Sequence, residues 1–289
     1  MTPTVLFDLD DTLIVEEPAA LAAFAATAAV AGERHELDVA ELARTARVRA
    51  RELWRAAPTY PYCVRVGISS WEGLWCRFEG DDESVSALRA WSPTYRREAW
   101  TRALADARVH DDPLAEELGE TFGVERRRRH ETFPDVVAAL TALRESNRLG
   151  LITNGASCLQ REKLAASGLA GHFDATVVSG DLGVRKPDAA IFRHALDLLD
   201  ADPRDTTMVG DNLSRDVDGA IAAGLRGVWL NRFAAPRPDA RPDIVEIRSL
   251  DRLRSALEIG SLDSATRCSA RRPRSSRPTS RTGSSPAAD

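Results

Sequence analysis

Residues 4–13 read TVLFDLDDTL, from Thr4 to Leu13. The apolar run Val5-Leu6-Phe7 leads straight into Asp8, Asp10 and Asp11, three carboxylates within four positions. A run that is apolar on both faces suits a strand of a parallel sheet covered by helices on both sides. In an extended chain Asp8 and Asp10, two apart, put their side chains on one side, and Asp11 falls on the other. Carboxylates this close repel one another at neutral pH. They are stabilised either by sharing a proton or by a hard divalent cation.

The strand pattern recurs at 149–153 (LGLIT), 175–179 (ATVVS), 206–210 (TTMVG) and 227–230 (GVWL), with helical stretches at 135–146, 157–167, 188–199 and 214–223. Strands alternating with helices predict an α/β fold with a doubly wound parallel sheet. Residues 16–130 contain no such strand, are rich in Ala, Arg and Glu, and hold five of the six tryptophans. They are expected to form an inserted helical cap domain, leaving 1–15 and 131–260 as the Rossmann-like core. Residues 261–289 carry six Arg against two Asp among Ser and Pro, and read as a disordered basic tail.

A hydrophobic content of 43% suffices for a substantial core, and the net charge of −5 gives no footprint for nucleic acid. The most apolar stretch, residues 19–32, is too short for a membrane span and reads as a soluble helix. Cys63, Cys76, Cys158 and Cys268 form no CxxC pair, so neither a zinc site nor a disulfide framework is expected. The early first strand leaves no room for a signal peptide, and together these features point to a reducing cytoplasm.

Ligand sites in open α/β sheets lie at the carboxyl ends of the strands. Four successive strand ends here carry chemistry. The first supplies Asp8 and Asp10. The second ends in Thr153 and Asn154, whose hydroxyl, amide and following backbone N–H groups are able to hold phosphate oxygens. The third leads to Lys186, a positive charge at a strand-to-helix junction. The fourth supplies Asp211 and then Asp216. Oxygen ligands from two strands, with no nearby His or Cys, suit magnesium better than zinc.

The ordered set Asp8-Leu9-Asp10-Asp11-Thr12, Thr153, Lys186 and Gly210-Asp211 through Asp216 resembles the haloacid dehalogenase superfamily, specifically its phosphatases with a helical cap, which include nucleotide 5′-phosphatases and N-acylneuraminate-9-phosphatase. The resemblance implies a magnesium-dependent phosphatase acting on a small phosphorylated metabolite. Asp8 would be the nucleophile, and Asp10 the acid and then the base. Thr153 and Lys186 would bind the phosphoryl group, with Asn154 adding contacts. Magnesium would bind Asp8, the backbone carbonyl of Asp10, and Asp211, with Asp216 acting through water or by orienting Lys186. Within the superfamily, a dehalogenase would lack Asp10, a β-phosphoglucomutase-like mutase usually has Gly at the position of Thr12, and a phosphonatase needs a cap lysine, whereas Lys163 and Lys186 are the chain's only lysines. A non-catalytic phosphometabolite-binding module should have lost one of the four motifs. Substrate choice falls to the cap, with Arg65, Trp71 and Trp75 as candidates.

Overall fold

A computed structural model describes residues 2–237, 241 and 244–258. The expected tail, 261–289, lies outside the described residues. Six parallel strands form one sheet: β1 (Thr4–Phe7), β2 (Arg148–Thr153), β3 (Ala175–Val178), β4 (Thr206–Gly210), β5 (Arg226–Leu230) and β6 (Val245–Ile247). Their order is β3-β2-β1-β4-β5-β6, so β1 lies inside the sheet and pairs Phe7 with Leu151 on one side and Val209 on the other. The five expected strands are present. The short sixth, with only three residues, carries too little pattern to read.

The alternation within β1 sends Val5 and Phe7 into one buried layer and Leu6 into the other. Val5 and Phe7 pack with Leu149, Leu151 and Val209 against Val136 and Leu140 of α7 (Val136–Arg144). Leu6 joins Ile152 and Met208 against Ile191 and Phe192 of α10 (Ala189–Leu199). Each such fully buried side chain contributes roughly 1.5–3 kcal/mol. Helices α8 (Ser157–Ala166) and α9 (Ser179–Leu182) follow β2 and β3. After β4 comes a π-helical stretch, Leu213–Asp218, that runs into α11 (Gly219–Ala222).

Between β1 and α7 stand six helices: α1 (Glu17–Gly32), α2 (Val39–Ala56), α3 (Tyr60–Val66), α4 (Ser70–Gly73), α5 (Glu83–Asp106) and α6 (Asp112–Arg127). Asp38, Asp82 and Asp111 each accept backbone N–H groups at the start of α2, α5 and α6, satisfying donors that a helix leaves unpaired. These helices, where a cap is expected, bury a core of Phe24, Trp54, Trp100 and Phe122, joined by Trp75, which is 1% exposed, and by Ala156 and Leu159 from beyond β2. Trp75 is therefore packing, not a specificity residue. Among the described residues no helix is long and apolar enough to cross a membrane. Cys63, Cys76 and Cys158 are free thiols.

Candidate active site

Asp8 follows β1 directly, and its backbone N–H extends the pairing to Val209 O at 3.0 Å. Its carboxylate is gripped from two sides. Lys186 Nζ donates to Oδ1 at 2.6 Å and Thr12 Oγ1 to Oδ2 at 3.1 Å. The Thr12 hydroxyl in turn accepts the Asp211 N–H at 2.9 Å, which ties the first motif to the fourth. Lys186 is 1% exposed, donates also to the Ile152 carbonyl at 2.7 Å, and forms an ion pair with Asp216 Oδ1 at 2.7 Å. Burial works against this ammonium, but Asp216 and Asp8 outweigh it and hold its pKa above the usual lysine range.

Oxygen atoms of Asp8, Asp211 and Asp216 all lie within 4.8 Å of one another. Burial first, then Asp8 and Asp216, push the Asp211 carboxyl up to about 8. Such a cluster of hard oxygens, with one member driven to hold a proton, fits a small divalent cation. Asp216 is thus part of the acidic cluster as well as a partner of Lys186. Gly210 permits this approach, because a Cβ there would lie 2.4 Å from the Asp216 carboxyl group.

The Asp10 side chain is elsewhere. It is not among the clustered carboxylates, so only its backbone carbonyl is left to serve a metal, as the sequence pattern implies. Its carboxylate accepts Lys163 Nζ at 3.0 and 3.1 Å and Gln160 Nε2 at 3.3 Å. Lys163 is fully buried and also contacts Glu72 Oε1 at 2.8 Å and Glu16 Oε2 at 3.2 Å. Arg126 pairs with Glu16. Burial raises the Asp10 pKa well above the usual range; Lys163 opposes this, and Glu16, Glu72 and Asp8 reinforce it. Glu72 belongs to the cap. Its other oxygen is locked by the Ser69 N–H at 2.9 Å and the Ser69 hydroxyl at 2.8 Å.

Two expected phosphate contacts are differently engaged. The Thr153 hydroxyl, 1% exposed, donates to Gln160 Oε1 at 2.9 Å and does not line the cleft. Asn154 does line it, but its amide is bonded to the Lys186 backbone in both directions, at 3.2 and 2.9 Å, and so fixes the loop that carries the lysine. Asp11 has φ +58° and caps the start of α1 by accepting the Glu16 and Glu17 N–H groups, a structural role.

The cleft over the acidic cluster has a volume of about 300 Å³ and is also lined by Trp71 and Arg215. A larger hollow of about 700 Å³ opens at the amino ends of the strands, beside Thr4, Thr207 and Arg226. It holds none of the clustered acids, and the carboxyl-end cleft is where sheets of this kind bind ligands.

Sequence reasoning used Lys163 only to argue against a phosphonatase and missed Glu72 and Glu16 altogether. One signal was available. A chain with 39 basic residues uses lysine only twice, and both lysines are buried beside the site's carboxylates.

The family of haloacid dehalogenase-like hydrolases matches residues 2–224. The chain belongs to this family. It is 39% identical over 242 residues to a phosphoserine phosphatase of Thermus thermophilus, a match covering 83% of this chain and 93% of that one. It is 40% identical over 140 residues to the N-acylneuraminate-9-phosphatase of Rattus norvegicus, a match covering 47% of this chain and 56% of that one. Among solved structures, the HAD hydrolase YfnB of Bacillus subtilis, described as bound to magnesium, superimposes with a TM-score of 0.60 at 21% identity. That match covers 89% of this chain and 98% of YfnB, and it shows the shared fold. A 2-haloacid dehalogenase of Pseudomonas syringae gives 0.57 at 28% identity, covering 90% and 99%. With relatives named as phosphatases across the family match, the chain is a phosphate-monoester hydrolase.

Proposed function

We propose that this hydrolase is a magnesium-dependent phosphatase that removes phosphate from a small phosphorylated metabolite through an aspartyl-phosphate on Asp8. The observation that carries the reading is the convergence of Asp8, Lys186, Asp211 and Asp216 at the carboxyl ends of β1 and β4. Asp8, Asp211, Asp216 and the backbone carbonyl of Asp10 would hold the cation. When bound, it would offset the charge that accumulates as an anionic carboxylate meets an anionic phosphoryl group.

The chain's own groups divide the remaining work. Thr12 and Lys186 hold the Asp8 carboxylate in one orientation, which favours in-line attack on phosphorus. The Lys186 ammonium adds positive charge beside the transferring group. As the ester P–O bond breaks, Asp10 gives its proton to the alcohol oxygen. It then takes a proton from the water that attacks the aspartyl-phosphate, releasing phosphate and restoring Asp8. The raised Asp10 pKa suits a group that must begin protonated, and Lys163 and Gln160 fix the orientation of its carboxyl group. Asp10 also separates this reading from a dehalogenase, since a departing halide needs no proton. Free thiols and a cleft sized for a small molecule suit a cytoplasmic enzyme of metabolism.

Phosphate release from a panel of phosphate monoesters, with magnesium and after exhaustive chelation, tests the proposal. Release should be lost on chelation and restored by magnesium but poorly by calcium, whose looser, higher coordination suits this cluster less well. Full turnover after chelation would overturn it.

A further inference from the structure

We propose that a recess beside the catalytic cleft binds a second oxyanion on the substrate, so that the preferred substrates are phosphate monoesters whose alcohol portion itself carries a carboxylate or a further phosphate. The inference rests on the phosphatase reading and deepens it.

The recess has a volume of about 310 Å³ and lies where cap and core meet. It shares Gly67, Ser69, Trp71 and Arg215 with the cleft over the acidic cluster, so a group leaving the cleft on this side enters it. Four guanidinium groups line it: Arg51 and Arg55 from α2, Arg185 and Arg215 from the core. The two core arginines adjoin residues of the site: Arg185 immediately precedes Lys186 and Arg215 immediately precedes Asp216. No Asp or Glu lines the recess among the described residues.

The contrast along α2 is informative. Arg44 pairs with Glu41, Arg47 with Glu17, and Arg49 with both Glu52 and Asp106. Arg51 and Arg55, one turn apart, have no carboxylate within ion-pairing distance among the described residues, and neither do Arg185 and Arg215. Like charges at this spacing destabilise a helix. Arg51, Arg55 and Arg185 thus bring positive charge without a carboxylate partner to one wall, while Arg215, on the edge shared with the carboxylate-rich cleft, also faces the Asp211 charge. An anionic group on the far end of a substrate resolves that imbalance, and planar guanidinium forks suit carboxylate and phosphate oxygens.

The test compares kcat/KM, with magnesium, within matched pairs: phosphoserine against phosphoethanolamine, 3-phosphoglycerate against glycerol 3-phosphate, and fructose 1,6-bisphosphate against fructose 6-phosphate. The member with the additional oxyanion should be favoured at least about tenfold, mainly through KM, as expected for charge-assisted hydrogen bonds. The first two pairs report on a carboxylate and the third on a phosphate. In the double variant R51A/R55A the ratio within the favoured pairs should collapse. Charge reversal, Arg55→Glu, should turn the first pair toward phosphoethanolamine, a gain that a misfolded protein cannot produce. Equal kcat/KM within all three pairs, or ratios unmoved in both variants, would overturn the recess while leaving the phosphatase reading intact. Release of phosphate from none of these esters, nor from p-nitrophenyl phosphate, would overturn both.

Discussion

Asp211 carries a protonation state that a bound cation should reverse. Without metal its carboxyl group is pushed up to about 8, by burial first and then by Asp8 and Asp216, so the folded protein holds a proton that the unfolded chain gives up near the ordinary aspartate range. The sign follows: between those two values the folded state binds more protons, and stability falls as pH rises. Magnesium displaces the proton and stabilises the ionised cluster by mass action. The melting temperature of the metal-free protein should therefore fall between about pH 4 and about pH 8, and the increment added by magnesium should grow over the same interval. An increment independent of pH would show that Asp211 does not titrate with the metal. At this scale Asp8, Asp10 and Asp211 were legible as candidates because each closely follows an apolar strand, and Lys186 because it precedes Pro187 at the approach to a helix. Lys163 was not: its partners Asp10 and Glu72 lie far away in sequence, and no local pattern announces a contact made only by the fold.

The elements depend on a few long-range polar ties that the pattern of helices and strands leaves unspecified. Arg232, just beyond β5, donates to both oxygens of Asp135 at 3.0 Å and to the Thr12 carbonyl at 2.9 Å, and its guanidinium lies 4.0 Å from the centre of the Phe133 ring. Asp135 also accepts the Leu250 N–H at 2.7 Å. One nearly buried pair thus joins the first catalytic loop, the start of α7 and the segment after β6. Arg232→Met should cost about 3 kcal/mol in denaturant unfolding, because Asp135 loses its counter-charge; a loss under about 0.5 kcal/mol, the range of ordinary surface changes, would place the tie elsewhere. Helix α4 supplies a second case. It brings the cap's Glu72 to Lys163 and Gln160, so a clean division between a chemical core and a selective cap does not hold. Glu72→Gln should lower kcat for alkyl phosphates by about tenfold, and for p-nitrophenyl phosphate much less, since only the alkoxide needs the proton positioned on Asp10. An equal loss for both ester types would make Glu72 merely structural.

For the molecule as a whole, strands alternating with helices were enough to read the sheet, and a strand-free insert was enough to expect a helical segment after β1, where six helices stand. The relative placement of the two was not legible, because it is set by side chains meeting across the seam, among them Cys76 and Cys158 with their sulfurs 3.7 Å apart. That seam closes the site: Glu16 and Glu72 complete the surroundings of Asp10, while Asp8, Lys186, Asp211 and Asp216 come from segments that follow β1, β3 and β4. The central claim is that Asp8 takes the phosphoryl group and Asp10 moves the protons. Intact-mass measurement of rapidly quenched variants with magnesium and p-nitrophenyl phosphate tests it most directly. This leaving group needs little protonation, so Asp10→Asn should still form the aspartyl-phosphate but hydrolyse it slowly, by about 10²–10⁴-fold, and one added phosphoryl group should accumulate. Asp8→Asn should show neither turnover nor adduct. An adduct on Asp8→Asn, or Asp10→Asn turning over at the unmodified enzyme's rate, would contradict the account.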